Sequence, residues 1–437
     1  MERGQTAIKC AHPYRVKGEL GFYDFEVYES LADGWRFFEK QKGKNCYKTE
    51  NYRTSILYQG ATQASYRKVS GGYNRRVRQS EKSLLSRSIQ KEVGQEAVAI
   101  EKAIESQSCA ILAAHGADKQ GYIAHREAYD WQHQKKESLA WTYHEMYEAA
   151  AEKIKPHLEL VASAYEQSDS TIEISIDDIC VKEQKTKRPK KNLSAKSRSS
   201  PAFEAQRSEG KKKYKKRKFA YSTVVHFQSK EGQYSLSGQG LSSLVGIIAA
   251  FLLHNQGLEK NWLFHVDGQR SLQDCLINRF SWHNSKLLLD WYHLQKKIHS
   301  QLFKALYKSN ERDKILNTLE LYAWYGLVQE ATKFIDRIKP ENIKKQEELD
   351  ILKGYFERNQ DIIPNYEMRH RLGLRNSSNR GEKQNDLLFA QRQKHNGMAW
   401  SKDGSWHLAQ LTSIKRNGEK EFWFKNQELQ FRFAKSA

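Results

Sequence analysis

TIEISID, residues 171–177, alternates Ile172, Ile174 and Ile176 with polar residues and closes on Asp177. A period of two with one apolar face predicts a half-buried β-strand. Downstream, FAYSTVVHF at 219–227 reads as a second strand, and Tyr234 to Leu236 as a short third. An apolar helix is predicted from about Leu241 to His254. WLFHV at 262–266 then reads as a buried strand ending at Asp267. A helix from about Ser271 to Phe280 and an apolar run, Leu287 to Leu289, ending at Asp290 complete the pattern. Strands that alternate with helices imply a partly parallel α/β sheet.

The flanks read differently. Residues 1–80 are rich in aromatic and basic residues, and the stretch from Tyr52 to Arg78 interleaves Tyr with Arg and Lys, which suits phosphate contact and base stacking. Residues 81–165 read as helices, two of them a hairpin and a third ending near Tyr165, from apolar spacings such as Leu84, Leu85, Ile89, Val93, Ala97 and Ile100. The expected organisation is a mainly helical, basic, DNA-binding N-terminal region (1–165), the first part of a catalytic core (166–309), an all-helical insertion (310–375), and the rest of the core with a C-terminal tail (376–437). In the insertion, Ile315, Leu319, Tyr322 and Leu327 keep helical spacing up to Pro340, and Leu349, Leu352 and Phe356 start another helix.

Across 437 residues, 73 Lys and Arg oppose 52 Asp and Glu, a net charge of +21. Such an excess points to a polyanionic partner, with double-stranded DNA foremost. The charge is concentrated in a loop at 182–218, where 16 Lys or Arg stand against 3 acids. Lys211, Lys212, Lys213, Lys215, Lys216 and Arg217 are its densest run, and each phosphate that such a residue neutralises releases a counterion. The longest apolar run, Leu244 to Leu253, is too short to span a bilayer, and no membrane partner is expected. With no apolar signal core at the N-terminus, a cytoplasmic, nucleoid-associated protein is expected. Five scattered cysteines without a CxxC pair argue against a disulfide framework or a zinc knuckle. No G-x-S-x-G elbow and no phosphate-binding P-loop occurs.

Chemistry is suggested first by Asp177 and Asp267. If their strands are parallel neighbours, the two carboxylates meet at the end of the sheet where open α/β folds put their sites. Carboxylates that close repel each other, and a bound cation offsets the repulsion. A lone Asp after a strand more often caps the next helix, so the pair carries the argument rather than either acid. The Asp267-Gly268 step is a turn signal that leaves the carboxylate at the strand's lip. Farther on, Arg380, Arg392, Lys394 and His395 are spaced to meet phosphates.

Four stretches together resemble the bacterial insertion-sequence DDE transposases that carry a helical insertion, distant relatives of the Mutator type. They are SIDDICVK (175–182), HVDGQRSL (265–272), LLLDWYHLQKKI (287–298) and NRGEKQNDLLFAQRQKHNGMAWSKDG (379–404). The resemblance implies a ribonuclease H-like mixed sheet flanked by helices. It also implies Asp177, Asp267 and Glu382 as ligands of two Mg²⁺ or Mn²⁺ ions, and His293 with Asp290 near the catalytic end. The implied activity is metal-dependent cleavage and strand transfer at the ends of a mobile element, by a homo-oligomer on DNA. A nuclease on the same fold that cuts without joining, and a DNA-binding protein that has lost catalysis, remain alternatives. The chain departs from that family at Asp178, where relatives usually have Gly; strand alternation turns its side chain to the face opposite Asp177.

Overall fold

The computed structural model describes residues 7–9, 14–18, 21–25, 28–30, 46–57, 65–77, 84–123, 152, 155, 171–184, 218–283, 285–371, 373–394 and 399–435. The basic run Lys211, Lys212, Lys213, Lys215, Lys216 and Arg217, the residue His395, and the expected third helix ending near Tyr165 lie outside them.

The stretch that opens at Thr171 forms β1 (Thr171–Lys182). It pairs antiparallel with β2 (Phe219–Ser229), which pairs antiparallel with β3 (Gly232–Gly238). On its other side β1 runs parallel to β4 (Asn261–Val266), and β4 runs parallel to β5 (Ser285–Leu289). The spatial order is therefore β5-β4-β1-β2-β3. Chain connectivity dictates the directions. β2 and β3 are joined by a tight turn, whereas β4 and β5 are each reached through a helix, which returns the chain to the same end of the sheet.

The first strand does not end at Asp177, as its alternation predicts. It runs on to Lys182, paired there with β2 on one side, while β4 stops at Val266 and the Trp400 N–H donates to the Lys182 carbonyl at 2.9 Å on the other. The apolar face also switches. Ile172, Ile174 and Ile176 enter one core, while Ile179 and Val181 enter another on the opposite face. Alternation that changes phase reads as an ending.

The helices are α1 (Tyr66–Val77), α2 (Ser86–Ala114), α3 (Val245–His254), α4 (Arg270–Phe280), α5 (Trp291–Ala305), α6 (Asn310–Trp324), α7 (Val328–Asp336), α8 (Gln346–Arg358), α9 (Tyr366–Arg371), α10 (Asn379–Asn385), α11 (Lys402–Arg416) and α12 (Lys420–Asn426). The isoleucine face of β1 joins Val225, Phe227, Trp262 and Phe264 and is covered by α2, α3, α4 and α11. Helix α3 is apolar on all sides because sheet and helices enclose it. Its Phe251 stacks on Phe227 and Tyr234 with ring centroids 4.5 Å apart, and burial of such a ring contributes about 1.5–3 kcal/mol. Helices α6 to α9, which lie between α5 and α10 in the chain, share a core with Leu263, Leu288 and Leu289 of the sheet, so they are built onto β4 and β5.

The edge strand β3 is covered. Asn417 accepts from the Ser235 N–H at 2.9 Å and donates to its carbonyl at 2.8 Å, while Gln410 donates to the Ser237 carbonyl at 2.9 Å. A side-chain amide here replaces the missing neighbour strand.

The described part of the N-terminal region has helices together with strands that are not expected from its sequence. Five short strands, Ala7–Lys9, Tyr14–Gly18, Gly21–Phe25, Tyr28–Ser30 and Cys46–Lys48, form two small sheets before α1. These strands are three to five residues long, too short for a periodic signal to stand out. Within 81–165 the described residues form α2, a single helix of 29 residues uninterrupted by proline; the rest of the expected hairpin falls on residues outside the described ones. Helix α2 ties the ends of the chain together through two buried acids one turn apart. Glu92 accepts from Tyr52 Oη at 3.1 Å and Lys17 Nζ at 2.5 Å; Glu96 accepts from Arg53 Nη2 at 2.5 Å and Trp423 Nε1 at 2.9 Å.

Among the described residues no helix is long and apolar enough to cross a membrane. Cys109, Cys180 and Cys275 are free thiols.

Candidate active site

Ser175 of β1 pairs with His265 of β4, so two residues further on the same register sets Asp177 beside Asp267. On β5, Leu289 pairs with Val266, and the Asp290 N–H donates to the Val266 carbonyl at 2.9 Å, which sets Asp290 beside Asp267. Three aspartates thus lie in a row across three parallel strands, Asp177 within β1 and Asp267 and Asp290 just past the ends of β4 and β5, about 4.8 Å from one strand to the next.

Each is held differently. Asp177 is half-buried and accepts a 2.5 Å hydrogen bond from Asn385 Nδ2. Asp267 accepts from the Gln269 N–H at 2.9 Å, a local turn in which Gly268 takes φ +84°. Asp290 is buried and caps α5: one carboxylate oxygen accepts from the His293 N–H at 3.1 Å and the other from the Ser378 N–H. Asp290 therefore has a cap's role, yet it also ties the start of α5 to the segment that leads into α10.

Helix α10 carries the third acid. A Cβ on Gly381 would stand 2.6 Å from Ser175 Cβ, so only glycine lets α10 come this close to β1. Glu382 follows, and Asn385 is one turn further on the same side. Glu382 Oε1 is 3.6 Å from His293 Nε2, which brings α5 and α10 together over the row. The helix continues through a π-helical stretch, Asp386–Ala390, whose Leu388 and Phe389 pack on Ile179, Val181 and Val224.

The electrostatics follow from this crowding. Burial, above all, pushes the Asp177 carboxyl up; His293 and the Asp178 N–H oppose the rise, and the Glu382 and Asp267 carboxylates add to it. Glu382 and Asp267 are thus both within electrostatic reach of Asp177. Their chemistry, three carboxylates and no thiol, suits a hard, oxygen-seeking cation. As the side chains stand, no group of three His, Cys, Asp or Glu among the described residues converges closely enough to hold a metal ion. Asp177 faces Asn385, Asp267 faces its own turn and Glu382 faces His293 instead.

Beneath the row lies a polar layer. His265, Ser175, His226 and Ser235 are aligned across four strands. Burial lowers both histidines to about 4, helped for His226 by Arg380 and Arg375 and for His265 by Arg369. Arg375 donates to Glu173 Oε2 at 2.8 Å. Arg380 lies near this pair at the exposed start of α10, and Lys394 is exposed. Arg392 is half-buried, its guanidinium 5.1 Å from the centre of the Trp400 ring.

Asp178 is exposed and points away from Asp177, accepting a 2.5 Å hydrogen bond from Thr223. Asn385 and Tyr355 were missed by sequence reasoning. Asn385 stands three residues after Glu382 inside a motif already singled out. Tyr355, whose hydroxyl donates to the Asp267 carbonyl at 3.3 Å, is 88 residues from its partner and carried no local signal.

The architecture defines a mixed α/β protein with an acidic row that crosses β1 and the carboxyl ends of β4 and β5. No protein-family model matches the chain, and no curated protein matches it.

Proposed function

We propose that the chain is a DDE-type DNA transposase with a ribonuclease H-like core, in which Asp177, Asp267 and Glu382 hold two divalent metal ions. The observation that carries the reading is the register that sets Asp177, within β1, beside Asp267, just past the end of the parallel β4, with Glu382 on a helix packed directly over β1. The strand order β5-β4-β1-β2-β3, three antiparallel strands followed by two parallel ones, supports the ribonuclease H-like assignment.

When bound, two Mg²⁺ or Mn²⁺ ions supply Lewis-acid activation of the attacking oxygen and charge neutralisation at the leaving oxygen. The rest of the work falls to the chain. Asp177 offers a ligand from within β1 and Asp267 from the end of β4, so their spacing is set by the sheet. Glu382 and Asp177 turn inward by exchanging His293 and Asn385 for the shared site. His293, freed from Glu382, can hold a phosphate oxygen or a water at the rim. Arg380, at the start of α10, offers a phosphate contact beside the site, Lys394 adds an exposed charge beyond the far end of the same helical stretch, and residues 182–218, with a net +13, extend the contact along the duplex. DNA cut by water exposes a 3′-hydroxyl, and attack by that hydroxyl on target DNA joins the strands. Assembly of more than one copy on paired ends is part of the same reading.

A labelled duplex carrying the DNA that flanks the coding region tests this. The expected products with Mg²⁺ are a nicked end and a joined strand. Asp177→Asn, Asp267→Asn and Glu382→Gln should each lower both by roughly a thousandfold or more, as loss of one member of a cooperative catalytic set does. Nicking without joined product would favour a nuclease. End binding with no chemistry in the wild type would favour a DNA-binding protein that has lost catalysis. Nicking that persists in Asp177→Asn would sink the site assignment.

A further inference from the structure

We propose that Tyr355, in the helical insertion, is a positioning residue for Asp267, through which the insertion sets the geometry of the acid row. The proposal rests on the reading of Asp267 as a metal ligand. Tyr355 sits on α8 with its side chain buried, and its hydroxyl donates to the Asp267 carbonyl at 3.3 Å. The turn is shaped to receive it. Gly268 takes φ +84°, and a Cβ there would stand 2.3 Å from Tyr355 Oη. The phenol therefore occupies the space a side chain at 268 would need. Lys297 Nζ lies 5.5 Å from the centre of the ring, on the side of α5. Burial, with the Asp267 and Asp290 carboxylates nearby, pushes the phenol well above its usual range and keeps it a donor.

The arrangement recurs on the neighbouring strand. Tyr366 of α9, also fully buried, donates to the Leu289 carbonyl at 2.7 Å, one residue before Asp290. Two inserted helices thus each place a phenol on a backbone carbonyl at a site aspartate, the aspartate's own at Asp267 and that of the residue before it at Asp290. A side chain is aimed only as well as its backbone is held, and outer-sphere groups of this kind govern ligand orientation. With the Asp267 carbonyl held, the side-chain torsions χ1 and χ2 are what remain for the carboxylate to turn from the Gln269 N–H toward a cation.

The test measures metal affinity apart from activity. Full-length wild type, Tyr355→Phe and Asp267→Asn are titrated with Mn²⁺ by electron paramagnetic resonance, with thermal melting in parallel. Tyr355→Phe is expected to weaken Mn²⁺ binding roughly tenfold, the scale of an outer-sphere loss, with an unchanged melting temperature. Asp267→Asn is expected to weaken it further. Wild-type affinity in Tyr355→Phe, with binding lost in Asp267→Asn, overturns the role of Tyr355 and leaves the site reading standing. Equal or absent binding in wild type and Asp267→Asn overturns the site reading and this proposal with it. Should Tyr355→Phe fail to fold, Gly268→Ala forces the same groups apart from the turn side. It is expected to weaken Mn²⁺ binding as much, and unchanged affinity there overturns the proposal.

Discussion

Asp177 shows most sharply what a single residue gives up for the site. Its carboxyl is pushed up by burial and by the neighbouring Glu382 and Asp267 carboxylates, so the folded chain holds that proton more tightly than the unfolded chain does. The sign of the linkage follows. A raised folded pKa contributes stability below the unfolded value, and that contribution is lost as pH rises through the folded value. At neutral pH the ionised group is therefore a liability to the fold. Asp177→Asn is expected to raise the melting temperature at pH 7 while abolishing metal-dependent chemistry. The gain should shrink toward zero as pH falls to the ordinary carboxylate range near 3.8. Melting curves of wild type and variant across that range check it, and a variant less stable than wild type at pH 7 would contradict the electrostatic account. His226 responds with the opposite sign. Its pKa is lowered to about 4, so its contribution is complete above the usual histidine value of 6.5 and is lost as pH falls toward 4.

Between elements, the approach of α10 to β1 decides whether Glu382 reaches the row at all. Gly381→Ala puts a methyl 2.6 Å from Ser175 Cβ, a clash that must be relieved by moving the helix. Overpacking of this kind costs about 1–3 kcal/mol. Catalysis should fall further than stability, because Glu382 moves with the helix. Ser175→Gly in the same chain removes the opposing Cβ and should recover most of both; denaturant melts and nicking rates on the four members of the cycle measure the coupling. The same elements explain what a sequence makes legible. Asp177 and Asp267 could be singled out because alternation and a terminal acid are local patterns. The continuation of β1 could not, since its apolar residues change face between Ile176 and Ile179 to meet Leu388 and Phe389. Asp290 looked like either a cap or a site residue and has the first role while lying in line with the second. Its second partner, Ser378, is 88 residues away, beyond any periodicity. The short N-terminal strands pair with partners that no pattern of three to five residues can specify.

For the molecule as a whole, charge and fold are separable. Glu183 donates its N–H to the Lys218 carbonyl at 2.9 Å, so β1 and β2 are still paired where the basic segment begins and ends. Residues 185–217 can therefore be replaced by a short Gly-containing turn without stretching the hairpin. Loop entropy changes only slowly with length, so the cost to stability is expected to be within about 1 kcal/mol. The electrostatic cost is much larger. The excised residues hold 14 Lys or Arg against 2 acids, and every phosphate they no longer neutralise takes about 0.9 from the slope of log affinity against log salt. If the segment neutralises roughly four to eight phosphates, duplex binding at low salt should weaken by several orders of magnitude on its removal, and the salt dependence should flatten by about 4–7 units. Binding isotherms at a series of salt concentrations measure both quantities. Acids at the row stay in place, so nicking at saturating DNA should persist in the shortened chain. An unchanged salt slope would mean that the segment does not touch phosphates, and that DNA is held instead by basic residues on the folded body such as Arg380 and Lys394.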